Sequence, residues 1–362
     1  MEGVINTRMW PKCKTSEWVK GKLVGSGSFG TVHLAMSKST GALFVVKSAH
    51  LGAGREALDN EVKILKSLRS SPYIVQCLGT EEEGKGNYNY NNNNLNVFME
   101  YMAGGSLADV AHKFGGSLNE EVVRVYTREI LLGLKHLHQH GIVHCDLKCK
   151  NVLLGSCGNI KLADFGSAIR VTDSKGDDGC LKNCLVSVVG GTPLWMAPEV
   201  LRNEMLDFAA DIWSLGCTVI EMATGTPPWA GEVSNPMAAM LRIAHGDGVP
   251  QFPTHFSTDA LDFLSKCLER DPQKRFTSDE LLNHPFVSTR TSSHKECASS
   301  PASVLEVQSF EDLDELEIPE VNDFSITNSF ASFDESKGTA IWWQREDSTL
   351  LSSGNWITVR SG

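Results

Sequence analysis

HCDLKCKN, residues 144–151, sets three functional groups at fixed intervals: the carboxylate of Asp146, the ammonium of Lys148 two residues on, and the carboxamide of Asn151 three beyond that. A carboxylate so placed accepts the proton of an attacking hydroxyl, and a neighbouring ammonium neutralises charge on a phosphoryl group in transfer. A carboxamide oxygen ligates a hard metal ion. The expected catalytic groups are thus Asp146 and Lys148, with Asn151 a metal ligand.

Reading outward, DFG follows thirteen residues after Asn151 and offers Asp164 as a second oxygen ligand for Mg2+; GTPLWMAPE, residues 191–199, comes after a further loop. Upstream stands GSGSFGTV, residues 25–32. A lone Gly-x-Gly-x-x-Gly is weak evidence, because ordinary turns and dinucleotide-binding loops share it. The dinucleotide version opens a helix, whereas here the strand-like TVHLAMS continues. That favours a hairpin whose backbone N–H groups approach phosphates where side chains would block them. Lys47 ends the strand FVVK fifteen residues past Val32. A lysine there holds phosphates only if its flexible stem is fixed. Glu61 is the natural partner and Glu56 the rival, since Glu61 lies directly before the apolar VKIL.

The surrounding pattern supplies elements for these groups. WVKGKLVGSG, GTVHLAMSK and GALFVVKSA read as paired strands, and REALDNEVKILKSL spaces Leu58, Val62, Leu65 and Leu68 as a helix does. IVQCLGTEE and LNVFMEYM read as two more strands around an Asn-rich insert over 84–96, expected to be a loop. Beyond Gly105 the chain turns helical. NEEVVRVYTREILLGLKHLHQHG puts Val122, Val125, Ile130, Leu134 and Leu137 on one broad face, and further helices are expected at DIWSLGCTVIEMATG and DALDFLSKCLERDP.

In this order the motifs resemble the eukaryotic protein kinases over roughly residues 17–287. The resemblance implies an α+β, bilobal fold: a β-rich small lobe over 17–102, a mainly helical lobe over 103–287, and ATP in the cleft between. It assigns Leu23, Val24, Gly25, Ser26, Gly27, Ser28, Phe29, Gly30, Thr31 and Val32 to the strand pair over the nucleotide, with Lys47 and Glu61 beside it. Val32, Val45 and Leu153 would sandwich the adenine, Met99 would stand at the back of the pocket, and the backbones of Glu100 and Met102 would bond the base edge. Val45 departs from the family's common Ala. Asp211 and the Glu199–Arg275 pair match structural anchors of the family. Lys148, with Thr192 before Pro193, matches enzymes acting on Ser and Thr.

One residue departs from the pattern. Cys145 stands where many of these kinases carry an Arg that pairs with a phosphorylated residue of the activation loop, a bond no thiol can make. No catalytic group is missing, so the expectation is activity that depends only weakly on phosphorylation of Thr172, Ser174 or Ser187. GTPLWMAPEVL, PYIVQCLGTE and EYMAGGSLADV most resemble the MEKK-like MAP kinase kinase kinases, above all a plant subgroup linked to stress and hormone signalling. The implied substrate is a MAP kinase kinase. The alternatives are a Ser/Thr kinase of another family and a pseudokinase scaffold that binds without turnover.

Composition sets the outer bounds. A chain of 362 residues with 41% hydrophobic side chains has material for two lobes and a tail. Of the net charge of −11, nine units fall in residues 291–362, where thirteen Asp and Glu face four Lys and Arg. Residues 288–362 therefore read as an acidic, mostly disordered extension with candidate docking segments, and residues 1–16 as a short N-terminal one. So acidic a chain is not expected to bind nucleic acid. With no apolar run of spanning length and no secretory signal pattern, it is expected in the cytoplasm, the nucleus or both, off the membrane. The ten cysteines, including Cys180 and Cys184, are expected to be free thiols.

Overall fold

Alternating and β-branched residues build the first sheet of the computed structural model, which describes residues 17–27, 30–49, 52–82, 94–171, 193–231 and 236–288. Strands β1 (Trp18–Gly27), β2 (Gly30–Ser37), β3 (Leu43–Ala49), β4 (Cys77–Glu82) and β5 (Leu95–Glu100) lie in the order β1-β2-β3-β5-β4. Every neighbouring pair is antiparallel. Both faces are apolar. On one, Trp18, Phe44 and Phe98 meet edge to face at 5.7–6.3 Å. On the other, Val97 and Met99 pack with Leu58 and Val62 of helix α1 (Ala53–Ser67). The period of two therefore puts Val45 and Lys47 on the α1 side and Phe44 and Val46 on the far side.

The rest is mainly helical. Helix α2 (Leu107–Lys113) starts with a capping box in which Ser106 and Asp109 satisfy each other's backbone N–H groups. Helix α3 (Glu120–Gln139) is capped by Asn119 and carries two glutamates in its first turn, where the helix dipole favours them. Short strands β6 (Gly105–Ser106), β7 (Ile142–Val143), β8 (Val152–Leu154), β9 (Ile160–Leu162) and β10 (Ile169–Arg170) carry the chain through the candidate site, paired as β6-β8-β9 and β10-β7. Helices α4 (Pro198–Leu201), α5 (Ala209–Thr224), α6 (Pro236–His245), α7 (Thr258–Cys267), α8 (Ser278–Leu282) and α9 (Pro285–Ser288) complete the described residues. From Ala210 to Ala223 every residue of α5 except Glu221 is buried, so the core wraps this helix on all sides.

Two expectations need correcting. Val125 is 41% exposed; the buried face of α3 runs instead through Val122, Val123, Tyr126, Thr127, Ile130, Leu131, Leu134 and Leu137. At roughly 100° per residue Val125 falls outside the arc those positions share. The segment expected as a loop over 84–96 also ends sooner, because Leu95 and Asn96 already belong to β5. Leu95 is buried opposite Ala49, and the Asn96 carboxamide oxygen accepts from the Ser48 hydroxyl at 2.6 Å. The remainder of that insert, residues 1–16, the acidic extension past Ser288, and Thr172, Ser174, Cys180, Cys184, Ser187 and Thr192 lie outside the described residues. No helix among the described residues is long and apolar enough to cross a membrane.

Candidate active site

Three elements converge on Lys47. Strand β3 presents its ammonium, α1 presents Glu61 at 2.7 Å, and the turn after β9 presents Asp164 at 2.8 Å. Glu61 is 1% exposed whereas Glu56 lies exposed on the first turn of α1, so the geometry decides between them for Glu61. The second oxygen of Glu61 accepts the Phe165 N–H at 3.2 Å. Burial by itself would lower the Lys47 pKa, but Asp164 and Glu61 outweigh it and hold the ammonium above the ordinary lysine value. Burial by itself would raise Asp164, yet Lys47, helped by Lys148, keeps its carboxyl below the ordinary aspartate value. A fixed cation thus stands beside a fixed, largely buried anion.

Asp146 is held from two sides. Lys148 donates to both its oxygens, at 3.1 and 2.9 Å, and the Asn151 amide donates to the carboxylate at 2.8 Å and to the Asp146 carbonyl at 2.7 Å. With its nitrogen so committed, the Asn151 side chain turns its oxygen elsewhere. That oxygen and the Asp164 carboxylate form an all-oxygen donor set, the kind a hard divalent cation takes together with phosphate oxygens. Among the described residues no group of three His, Cys, Asp or Glu side chains could hold a metal alone, so the remaining ligands would come from a nucleotide or water.

The loop carrying Asp146 is anchored from beneath. Asp211, fully buried at the start of α5, accepts the backbone N–H groups of His144 at 2.9 Å and Cys145 at 3.1 Å and bonds His138 Nε2 at 2.9 Å. His144 Nε2 faces the Ala163 carbonyl at 3.1 Å while Nδ1 accepts the Asp146 N–H at 3.3 Å, so the ring is the tautomer protonated on Nε2. Cys145 takes the left-handed backbone at φ 65 and sets its thiol 3.6 Å from the Val143 carbonyl. No role for His138 or His144 is legible in the sequence alone. His144 sits inside the quoted motif, and His138 shows its role only once Asp211 is seen across from it.

Above the cleft, β1 and β2 form the expected hairpin, with Gly25 opposite Val32, Ser26 opposite Thr31 and Gly27 opposite Gly30. Ser28 and Phe29 at its tip lie outside the described residues. Gly30 is irreplaceable: its φ is 139, and a Cβ there would lie 2.1 Å from the Ser48 carbonyl. Leu23 and Val24 are half-buried on β1. Val32 pairs with Lys47, and Val45 pairs with Met99. Val45 and Leu153 are half-buried against the cluster containing Met99 and Met102. Glu100 spends its carboxylate on Lys161 at 2.7 Å and its N–H on the Gln76 carbonyl, while the Met102 carbonyl accepts from Gly105.

The protein kinase domain family model matches residues 18–287. The chain is similar to mitogen-activated protein kinase kinase kinase 2 of Arabidopsis thaliana, 42% identical over 292 residues that cover 78% of this chain and 42% of the relative. It is similar to kinase kinase kinase 17 of the same plant, 41% identical over 276 residues, covering 76% of this chain and 70% of the relative. With kinase kinase kinase 18 it shares 37% identity over 351 residues, 95% of this chain and 99% of the relative. The chain thus spans less than half the first of these relatives and nearly the whole of the last.

Proposed function

This chain belongs to the protein kinase family, and from that premise we propose that it is an ATP-dependent Ser/Thr kinase acting as a MAP kinase kinase kinase, with a MAP kinase kinase as substrate. The observation that carries the chemistry is Asp146, its carboxylate held at 2.8–3.1 Å by Lys148 and Asn151 within the same cleft as the Lys47–Asp164 pair. The tier in the cascade is supported by relatives whose names give that activity.

ATP with Mg2+ supplies the transferable phosphoryl group and the charge compensation on its oxygens. The chain's residues do the rest. Lys47, stiffened by Glu61, holds an ammonium where phosphates arrive. Asn151 and Asp164 offer the oxygens that would hold the metal. Asp146 orients the substrate hydroxyl and takes its proton, and Lys148 keeps that carboxylate from swinging while adding positive charge beside the transferring group.

The test is phosphate transfer from labelled ATP to a panel of purified MAP kinase kinases by the full chain, by Lys47→Met and Asp146→Asn, and by a chain lacking residues 288–362. The full chain labels Ser or Thr of a MAP kinase kinase. Both substitutions reduce transfer by about a hundredfold or more, since the base alone contributes that much. Unchanged transfer by Asp146→Asn overturns the mechanism. ATP binding without transfer marks a scaffold, and labelling of unrelated proteins alone marks another kinase class. A change of preferred substrate in the truncated chain assigns docking to the acidic extension.

A further inference from the structure

We propose that Asn60 is a positioning residue whose amide fastens helix α1 to the turn bearing Asp164, a latch that operates without any phosphate; this rests on the phosphoryl-transfer reading above. The Asn60 side-chain nitrogen lies 2.9 Å from the Ala168 carbonyl, 3.0 Å from that of Gly166 and 3.5 Å from that of Phe165. Three carbonyls around one terminal atom identify that atom as the nitrogen. Its two hydrogens go to the nearer pair.

Asn60 does not act from an arbitrary position. Ala57, Asn60 and Glu61 are three and four residues apart and so share one face of α1. The Ala57 methyl lies 3.3 Å from where a Cβ of Gly166 would stand, so the turn is seated flush on the helix. Glu61 takes the Phe165 N–H. Helix α1 therefore grips the segment from 165 to 168 through backbone groups at both ends.

That grip bears on Asp164, whose backbone sits at φ 66, ψ 72. A non-glycine residue there is strained and persists only where its neighbours over-determine it. On the N-terminal side Ala163 is pinned, its N–H to the Asn151 carbonyl at 2.9 Å and its carbonyl to His144 at 3.1 Å. On the C-terminal side the fixing groups are Glu61 and Asn60. Glu61 must also hold Lys47, which leaves Asn60 as the side chain on this face dedicated to the turn. Cys145 removes the usual charge-assisted tie to a phosphorylated loop. The Asn60 amide replaces an added phosphate with a permanent pair of donors.

Asn60→Asp keeps the shape but aims a carboxylate at three carbonyl oxygens, whereas Asn60→Leu removes the donors without adding charge. Both are assayed beside the unaltered chain for kcat and for KM of the protein substrate from about pH 5.5 to 8.5, with a thermal melt of each. In Asn60→Asp, kcat falls at least about tenfold at the alkaline end while the protein-substrate KM holds, as loss of two part-buried bonds in the reacting geometry requires. That loss shrinks as pH falls, because the neutral carboxyl regains an O–H to donate. The loss in Asn60→Leu is the same at every pH. Asn60→Ser, with one donor left, falls between them and replaces any variant that melts below the assay temperature. Wild-type kcat in Asn60→Asp and Asn60→Leu, or one pH profile common to both, overturns the inference while leaving the function intact. No transfer by the unaltered chain overturns the functional reading first.

Discussion

A single guanidinium shows how much of this lobe's stability can rest on one side chain. Arg275 is 5% exposed and bonds both oxygens of Glu199, at 2.6 and 3.1 Å, the Glu269 carbonyl at 2.8 Å and the Ala209 carbonyl at 2.7 Å. Its plane also lies 5.3 Å from the centre of the Trp213 ring. The fork satisfies groups on α4, α5 and the loop after α7 at once. Arg275→Ala would leave the Glu199 carboxylate, 2% exposed, without its hydrogen-bonded counter-charge and with only the more distant Arg202 and Arg270 acting on it, and stranding one partner of a buried pair costs about 3–5 kcal/mol. Urea denaturation of the kinase domain should show that loss, with Arg275→Ala plus Glu199→Gln recovering part of it. A loss below about 1 kcal/mol in the single variant would mean that water reaches the carboxylate as it does at surface pairs.

At the scale of elements, close packing around α5 decides which substitutions are tolerated. A Cβ at Gly216 would stand 2.8 Å from Leu268 Cγ and 2.9 Å from Cys267 Cβ. Alanine gains about 1 kcal/mol of helix propensity over glycine, but overpacking costs about 1–3 kcal/mol where the obstructing atoms cannot swing away. Here they are branch and stem atoms near the backbone, so Gly216→Ala should lower the melting temperature; a rise would show that α7 can shift outward. The same packing explains what could be read in the chain and what could not. Local spacing disclosed the β1–β2 hairpin and the choice of Glu61 over Glu56, because each depends on residues close in sequence. It placed Val125 in the core, since one helix's apolar residues do not say where the arc facing its neighbours ends. The Lys47–Asp164 contact joins residues 117 apart, and the bonds from Asp211 to His144 and Cys145 join residues 67 and 66 apart. Their residue types were visible, but the partner of each was not, because nothing local records what lies across the cleft.

For the molecule as a whole, acid is the condition that tests these buried carboxylates together. Burial by itself would raise Asp211, but the His138 hydrogen bond and charge, with the His144 backbone N–H, hold its carboxyl below the ordinary aspartate value. Asp164 is depressed in the same sense by Lys47. An aspartate depressed in the folded chain contributes stability that is fully present above its unfolded value of about 3.9 and is lost as pH falls through the folded one. Glu221 and Glu129 work in the opposite direction: burial raises both, so they favour the folded state more as they take up protons. The total pH profile is therefore a difference of opposed contributions, and its shape alone assigns nothing. Comparing Asp211→Asn with the unaltered chain isolates one of them. Between about pH 5 and 3 the unaltered chain should lose stability more steeply, because the variant has no proton to take up at position 211 while Asp164, Glu129 and Glu221 titrate alike in both. Parallel losses in urea denaturation across that range would mean that the carboxylate beneath the catalytic loop titrates as it does in the unfolded chain, and that the His144 and Cys145 N–H bonds do not favour its charged form.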